Sequence, residues 1–405
     1  MEETNNNNFP REWEIVNLND DDYFKIVMGQ SPPSSTYNYD KSGLPFLQGK
    51  AEFGSKFPDP FLYCSKPIKI AKKDSILLSV RAPVGDVNIA NSKTCIGRGL
   101  LAIETNKIKL NNIFIFYYLN FIKKQINSFS SGSTFKSITK NDLKRIKIFI
   151  PDLIEQEKIA EILSTVDNLI EETDVSILKT ERLKKGLMQK LLTKGIGHKE
   201  FKKTDIGLIP REWEISEIKN ISDVFTGKTP PTSKKIYWNG DIPFITPEDM
   251  TGYKYVVKTK RNVTEAGARK GSKILLKNTI IVVCIGSTIG KISIIRQKSI
   301  VNQQINAVVC KENVFCEYVY YAILFRTSLL KNQSGIAAVP IIKKSLFEIF
   351  KIPIPGKFSE QEKIAEILST VDMRLQLFKE KKQKLQRIKK GLMNNLLTGK
   401  IRVKA

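Results

Sequence analysis

Two carboxylates and a lysine in a short run are where metal-dependent cleavage of a phosphodiester would be sought. The 405-residue chain offers one such run, PDLIEQEK at Pro151–Lys158. That chemistry needs carboxylates to hold a divalent ion, and a lysine spaced to face the same phosphate. Here Glu157 abuts Lys158, and the later counterpart PGKFSEQEK (Pro355–Lys363) lacks the Pro-Asp pair. Methylation of an amine would need Asn or Asp before two prolines and an aromatic after them. SPPS (Ser31–Ser34) and TPPT (Thr229–Thr232) supply the prolines alone. No G-x-x-x-x-G-K-[ST] phosphate loop occurs, and GRG (Gly97–Gly99) and GSTIG (Gly286–Gly290) read as turns. His198 is the only histidine, in a basic run, TKGIGHKEFKKT, that reads as a flexible linker. Cys64, Cys95, Cys284, Cys310 and Cys316 form no C-x-x-C pair. A zinc site is therefore not expected, and the thiols read as reduced and cytoplasmic. The sequence predicts no catalytic residue, no metal ligand and no cofactor.

What the side chains can do is bind a polyanion. Lys and Arg number 66 against 41 Asp and Glu, giving a formal charge of +25. Cations that neutralise phosphates release condensed counterions, so such an excess favours nucleic acid as partner. A membrane surface would also attract it, but no segment reaches the ~18–20 apolar residues that a span needs. The polar, acidic start MEETNNNNFPREWEI does not read as a signal peptide.

The elements that carry these cations occur twice. FPREWEIVNL (Phe9–Leu18) is echoed by IPREWEISEI (Ile209–Ile218), and GQSPPSSTY (Gly29–Tyr37) by GKTPPTSKK (Gly227–Lys235). RAPVGDVNIA (Arg81–Ala90) corresponds to GSTIGKISII (Gly286–Ile295), and KIFIP (Lys147–Pro151) returns as KIPIP (Lys351–Pro355). EQEKIAEILSTVD recurs letter for letter at Glu155–Asp167 and Glu360–Asp372, and KKGLMQKLLTKGI (Lys184–Ile196) returns as KKGLMNNLLTGKI (Lys389–Ile401). A period this long means duplicated domains rather than a solenoid.

Each copy opens with a mixed portion. DSILLSV (Asp74–Val80) and NTIIVVCIG (Asn278–Gly286) read as strands. Ile113–Ile126 and Glu317–Leu330 read as helices apolar round much of their girth, hence buried. A long helix follows. Apolar residues fall at Ile159, Leu163, Val166, Ile170 and Ile177, mostly three or four apart, and the later turns carry Leu183, Leu187 and Leu191. In the second copy they run through Ile364, Leu368, Val371, Leu375, Phe378, Leu385, Ile388, Leu392 and Leu396. That is a coiled-coil seam, ~35 residues or about 50 Å per helix. Its simplest partner is the other copy, although each helix could instead pack on its own domain. The expected fold is α/β (α+β). Two tandem mixed domains are separated by two long antiparallel helices, which form an intramolecular coiled coil with a pseudo-twofold relation.

These features together resemble the specificity subunit of type I restriction-modification enzymes. PREWEI opening each half, GQSPPSS and GKTPPT, SGSTFKSITKNDLKRIKIFIP (Ser131–Pro151), EQEKIAEILSTVD and KKGLMQKLLT carry the resemblance across nearly the whole chain. It implies target recognition domains at 1–155 and 198–358, each reading one half of a bipartite, asymmetric double-stranded DNA target. It implies conserved spacer helices at 156–197 and 359–405 that dock two modification (methyltransferase) subunits. Restriction subunits would add ATP-driven translocation and cleavage. The chain itself would be non-catalytic. The alternative is a basic scaffold that binds nucleic acid without sequence preference.

Phosphate contacts are expected from loop Lys, Arg and hydroxyl residues, and base contacts from Arg, Lys, Gln and Asn in the major groove. In the first domain the candidates are Gln30, Ser31, Tyr37, Lys50, Arg81 and Arg98. The small polar loop of Ser131, Gly132, Ser133, Thr134 and Lys136 joins them. It has a second reading, as a turn ahead of a helix that Thr139 would cap. In the second domain they are Lys228, Thr229, Lys235, Tyr237, Lys254, Tyr255 and Arg261. GYKYVVKTKR (Gly252–Arg261), which holds three of them, could equally be a lysine-guarded edge strand. Trp13 and Trp213, at matching positions, read as core anchors.

Overall fold

The computed structural model describes residues 9–129, 137–332 and 340–403. The chain forms two compact units, Met1–Glu172 with Lys382–Ala405, and Thr173–Lys381.

In the first unit, Phe24–Met28, Leu100–Thr105, Ile76–Ser79 and Val87–Ile89 lie side by side in that order, all antiparallel. Residues Phe114 to Leu119 of the helix Asn112–Phe121 are all buried against it. Asn111 starts this helix by accepting from the amides of Ile113 and Phe114, as an N-cap should. The expected single helix breaks at Ile122, and Lys123–Ser128 is a separate short helix. The two sequence echoes that bracket the domain pair with each other: Glu14–Asn17 runs antiparallel to Lys147–Ile150. Trp13, 4% exposed, closes the core beneath them. A five-stranded sheet, Tyr37–Asn38, Tyr63–Cys64, Leu44–Leu47, Thr94–Ile96 and Ile70–Ala71, lies beyond.

The second unit repeats this order with other residues. Ser222–Thr226, Ile305–Cys310, Ile280–Val283 and Ile292–Ile294 form the sheet, Glu214–Glu217 pairs with Lys351–Ile354, and Cys316–Phe325 is the buried helix. Trp213 is wholly buried. The accessory sheet is where the halves part company. Here it has three strands, Arg261–Val263, Trp238–Ile245 and Ile300–Val301.

The long helices, Leu153–Lys194 and Phe358–Leu396, have 42 and 39 residues, more than the seam alone predicted. In the first unit the start of one helix lies against the end of the other. Ile159 and Leu163 share a core with Leu396 and Leu397, and Lys389 pairs with Asp167 at 2.6 Å. In the second unit Ile364 and Leu368 share a core with Leu191 and Leu192, and Lys184 pairs with Asp372 at 2.6 Å. Rising numbers on one helix meet falling numbers on the other, so each pairing is antiparallel. The helices also join their own domain's core, so the two readings of their packing both describe part of the contact.

The seam departs from expectation at Leu183 and Ile388, which are both 51% exposed. Lys184 and Lys389, one residue on, turn inward instead to reach Asp372 and Asp167. Thr173 and Thr180 are buried at heptad spacing, in the two gaps of the apolar seam on either side of Ile177.

Candidate nucleic-acid interface

In the first unit, three strand ends are stitched together by backbone bonds. The Gly29 amide donates to the Leu100 carbonyl at 2.9 Å, Gln30 to Ile96 at 3.0 Å, and Val80 to Gly99 at 2.9 Å. The proline-rich loop, the GRG turn and the RAP turn thereby share one rim. A Cβ on Gly29 would sit 2.1 Å from the Gly97 carbonyl oxygen, so only glycine allows this approach. The second unit makes the same stitches. Gly227 donates to Ile305 at 3.0 Å, Lys228 to Val301 at 3.1 Å, and Cys284 to Gln304 at 2.8 Å. A Cβ on Gly227 would lie 2.1 Å from the Asn302 oxygen.

This rim gathers most of the described candidate residues of the first unit. Gln30, Arg81 and Arg98 are exposed. The half-buried Ser31 accepts from the Arg98 amide at 3.2 Å. Tyr37 packs on Phe46 and donates to the Pro32 carbonyl at 2.8 Å. Burial raises its phenol pKa, and the nearby Arg98 acts the other way. Lys50 is engaged, 2.8 Å from Asp86, which Lys123 also holds at 2.5 Å. Burial would raise the Asp86 pKa, but the two lysines keep it below the usual range. Ser131, Gly132, Ser133, Thr134 and Lys136 lie outside the described residues. Thr139 does not cap a helix by accepting. Its amide and hydroxyl both donate to Asp142, at 2.8 and 2.7 Å, ahead of a short 3-10 turn.

In the second unit Lys228, Lys235 and Arg261 are exposed. Thr229 donates to Oε1 of Gln303 at 2.7 Å. Arg261 lies 3.9 Å over the Trp238 ring, which fixes its guanidinium while leaving it open to solvent. Tyr237 is half-buried in the turn Lys235–Tyr237, beside this strand. Thr229, Arg261, Ser287, Lys291, Asn302 and Gln304 line an open cleft of ≈ 530 Å³.

Lys254 and Tyr255 go elsewhere. Lys254 is 8% exposed. Its ammonium is 2.7 Å from Glu317 and 2.5 Å from the Ser369 hydroxyl, and Tyr255 donates to Glu317 at 2.5 Å. The run Gly252–Arg261 is therefore mostly a loop clamped to its own domain, not an edge strand. Only its last residue, Arg261, enters a strand. Glu317 is half-buried, and burial would raise its pKa. Bonds from Lys254, Tyr255 and Ser369 outweigh this and hold it below the usual carboxylate range.

Gln303 was not among the candidates, although VNQQIN (Val301–Asn306), a polar run between two β-branched strands, marks its turn.

The nuclease-like residues turn out to be helix fittings. Asp152 accepts from the Glu155 amide at 2.9 Å and caps the long helix. Glu155 is buried against Arg402, with Nη2 at 2.7 Å. Gln156 accepts from the Asn111 amide at 2.8 Å. The same set recurs with Glu360 and Gln361. Glu360 receives Nε2 of His198 at 2.9 Å, the Ile196 amide at 3.0 Å and the Trp213 indole at 3.2 Å, and Gln361 receives the Phe315 amide at 2.9 Å. These side chains are internal joints. His198, expected in a flexible linker, is bonded into the second unit. At the far end of the repeat, Tyr117 donates to Asp167 at 2.7 Å and Tyr321 to Asp372 at 2.8 Å.

Among the described residues, no group of three or more His, Cys, Asp or Glu is placed to hold a metal ion. No described helix is long and apolar enough to cross a membrane.

Comparison with known proteins bears on this frame. Over 410 residues, 98% of this chain and 94% of the relative, it is 29% identical to the type I restriction enzyme MjaVIII specificity subunit of Methanocaldococcus jannaschii. Over 184 residues it is 54% identical to the MjaX specificity subunit named in the same organism, a match spanning 45% of this chain and 43% of that protein. The fold is similar to the crystal structure of a type I restriction-modification S subunit from M. genitalium, with a TM-score of 0.67, 18% identity and 97% of each chain covered. It is also similar to a chain from a structure of complex assembly and conformational transition in a type I R-M system, with a TM-score of 0.54, 16% identity, and 97% and 99% covered. The family model for the type I restriction modification DNA specificity domain matches twice, at residues 10–179 and 210–387. With the duplicated frame matched in both halves, the chain belongs to the type I restriction modification DNA specificity domain family.

Proposed function

We propose that this chain is the DNA sequence-specificity subunit of a type I restriction-modification complex, with no catalytic group of its own. The observation that carries the reading is the rim that occurs twice on one backbone frame with different side chains. Gln30 and Lys228 stand at one equivalent position, Ser31 and Thr229 at the next. Two unlike readers suit a target in two unlike halves. Residues 1–155 and 198–358 are the recognition domains in this reading, and 156–197 and 359–405 the spacer helices. The exposed cations Arg81, Arg98, Lys228, Lys235 and Arg261 take the phosphates and base edges. Lys254 and Tyr255 support the second domain from within.

The helices dock two modification subunits in this account, and restriction subunits add translocation and cleavage. The complex acts in the cytoplasm on double-stranded DNA. Competition binding tests the reading. The chain with its modification partner should prefer one duplex sequence over random duplex, and binding should weaken steeply with salt. The chain alone should transfer no methyl group from S-adenosylmethionine. Equal affinity for all duplexes would make it a basic scaffold instead, and methyl transfer by the isolated chain would end the non-catalytic assignment.

A further inference from the structure

We infer that Arg98 and Gln303 are equivalent base-reading residues, Arg98 taking a guanine in one half-site and Gln303 an adenine in the other. This rests on the sequence-reading role proposed above and names the contacts that would carry it.

The equivalence is set by hydrogen bonds, not by sequence similarity. Gly97, Arg98 and Gly99 occupy the first turn, and Asn302, Gln303 and Gln304 the second. Ile96 accepts from Gln30 as Val301 accepts from Lys228. Gly99 accepts from Val80 as Gln304 accepts from Cys284. Leu100 closes the first turn onto Gly97 at 3.0 Å, and Ile305 closes the second onto Asn302 at 3.1 Å. The middle residue of each turn is exposed. Its backbone is bonded on both sides, so its side chain projects from a fixed base.

Each turn also meets a hydroxyl from the proline-rich loop. Ser31 accepts from the amide of Arg98 at 3.2 Å, and Thr229 donates to Oε1 of Gln303 at 2.7 Å. The threonine thereby orients the amide. Oε1 keeps a second lone pair, and the NH₂ end carries donors. Among the described residues Arg98 forms no ion pair, so its guanidinium is not spent on a neighbouring carboxylate.

The two side chains have different hydrogen-bonding characters. A guanidinium offers donors only, which matches the paired acceptors O6 and N7 of guanine. A carboxamide offers one acceptor beside a donor, which matches the N6 donor and N7 acceptor of adenine. An exposed Arg or Gln on an ordinary turn would say nothing. Here both stand at one position of a duplicated rim, beside the exposed cations Arg81 and Lys228.

The test is selection from a randomised duplex library by the full chain bound to its modification partner. Wild type, Arg98→Ala, Arg98→Lys and Gln303→Arg are compared, with circular dichroism to confirm folding. Arg98→Ala should lower the guanine preference at one position of one half-site by about 5- to 150-fold and leave the other half-site intact. Arg98→Lys should keep the charge but lose most of that preference, because the fork is gone. Gln303→Arg should turn one adenine of the other half-site into guanine. Unchanged motifs in folded Arg98→Ala and Gln303→Arg overturn the inference while the sequence-reading role stands. Equal loss at every position of both half-sites also overturns it, because it marks the residues as structural. A wild-type complex that enriches no sequence removes the parent reading, and this inference with it.

Discussion

Arg402 lays its guanidinium along the carboxylate of Glu155, with Nη2 2.7 Å from one oxygen and Nε 2.8 Å from the other. The Val403 amide adds a third bond at 3.1 Å. The segment after the second long helix is thus tied to the first turn of the first. In the second unit the segment after the first helix is tied in the same way, by His198 and Ile196 to Glu360. These joints give the duplicated EQEKIAEILSTVD its physical meaning. Its first glutamate fastens the end of the opposite helix, and its last aspartate takes the tyrosine of its own domain and a lysine of that opposite helix.

Glu155→Ala should therefore be costly. The Glu155 side chain is 4% exposed, and its removal strips a half-buried guanidinium of its bidentate partner. A loss of about 3 kcal/mol is expected, read as a lower denaturant midpoint for the first unit. Glu12→Ala, which removes the exposed second partner of Arg402, should cost about 0–1 kcal/mol. Equal effects from the two variants would show that the joint does not hold the first unit together.

Glu317 makes stability depend on acid pH. Its folded pKa lies below the ordinary value of 4.5, because bonds from Lys254, Tyr255 and Ser369 overcome its burial. The unfolded chain therefore takes up the proton first as pH falls. The stabilisation is complete above the ordinary value and is lost as pH drops through the lower folded one. Urea unfolding of the wild type between pH 6 and pH 3 should show this loss. Glu317→Gln should be less stable at pH 6 and show a shallower decline. A parallel decline in both proteins would remove Glu317 from the account.

The exposed rim cations Lys228 and Arg81 should act through phosphates. Lys228→Ala and Arg81→Ala should each weaken duplex binding for all sequences alike. Each should also flatten the dependence of log K on log salt by about 1. Lys254→Ala should leave that slope unchanged and lower stability, since its ammonium is bound to Glu317 and Ser369 inside the second unit. A reduced slope from Lys254→Ala would return that residue to the DNA face.

Period and composition made the duplication, the strands, the buried helices and the long amphipathic helices legible. Each depends on local patterns of apolar residues. What stayed hidden depends on partners distant in the chain. Lys254 sits among aromatics and cations in sequence, and only the fold brings Glu317 and Ser369 to it. Glu155 looks like a solvated helix residue until Arg402, far along the chain, is folded onto it. Leu183 is apolar but falls six residues after Ile177, one short of a heptad, and Lys184 at the heptad position turns inward to Asp372. Gln303 was missed because its resemblance to Arg98 lies in backbone bonds, not in letters.

Two unlike readers on one chain should specify a target in two unlike halves. Mapping of methylated adenines across the genome of cells carrying this chain and its modification partner tests it most directly. One bipartite motif with a gap of fixed length and two different half-sites is expected, absent when the chain is deleted. A motif whose halves are identical, or methylation unchanged by the deletion, would contradict it.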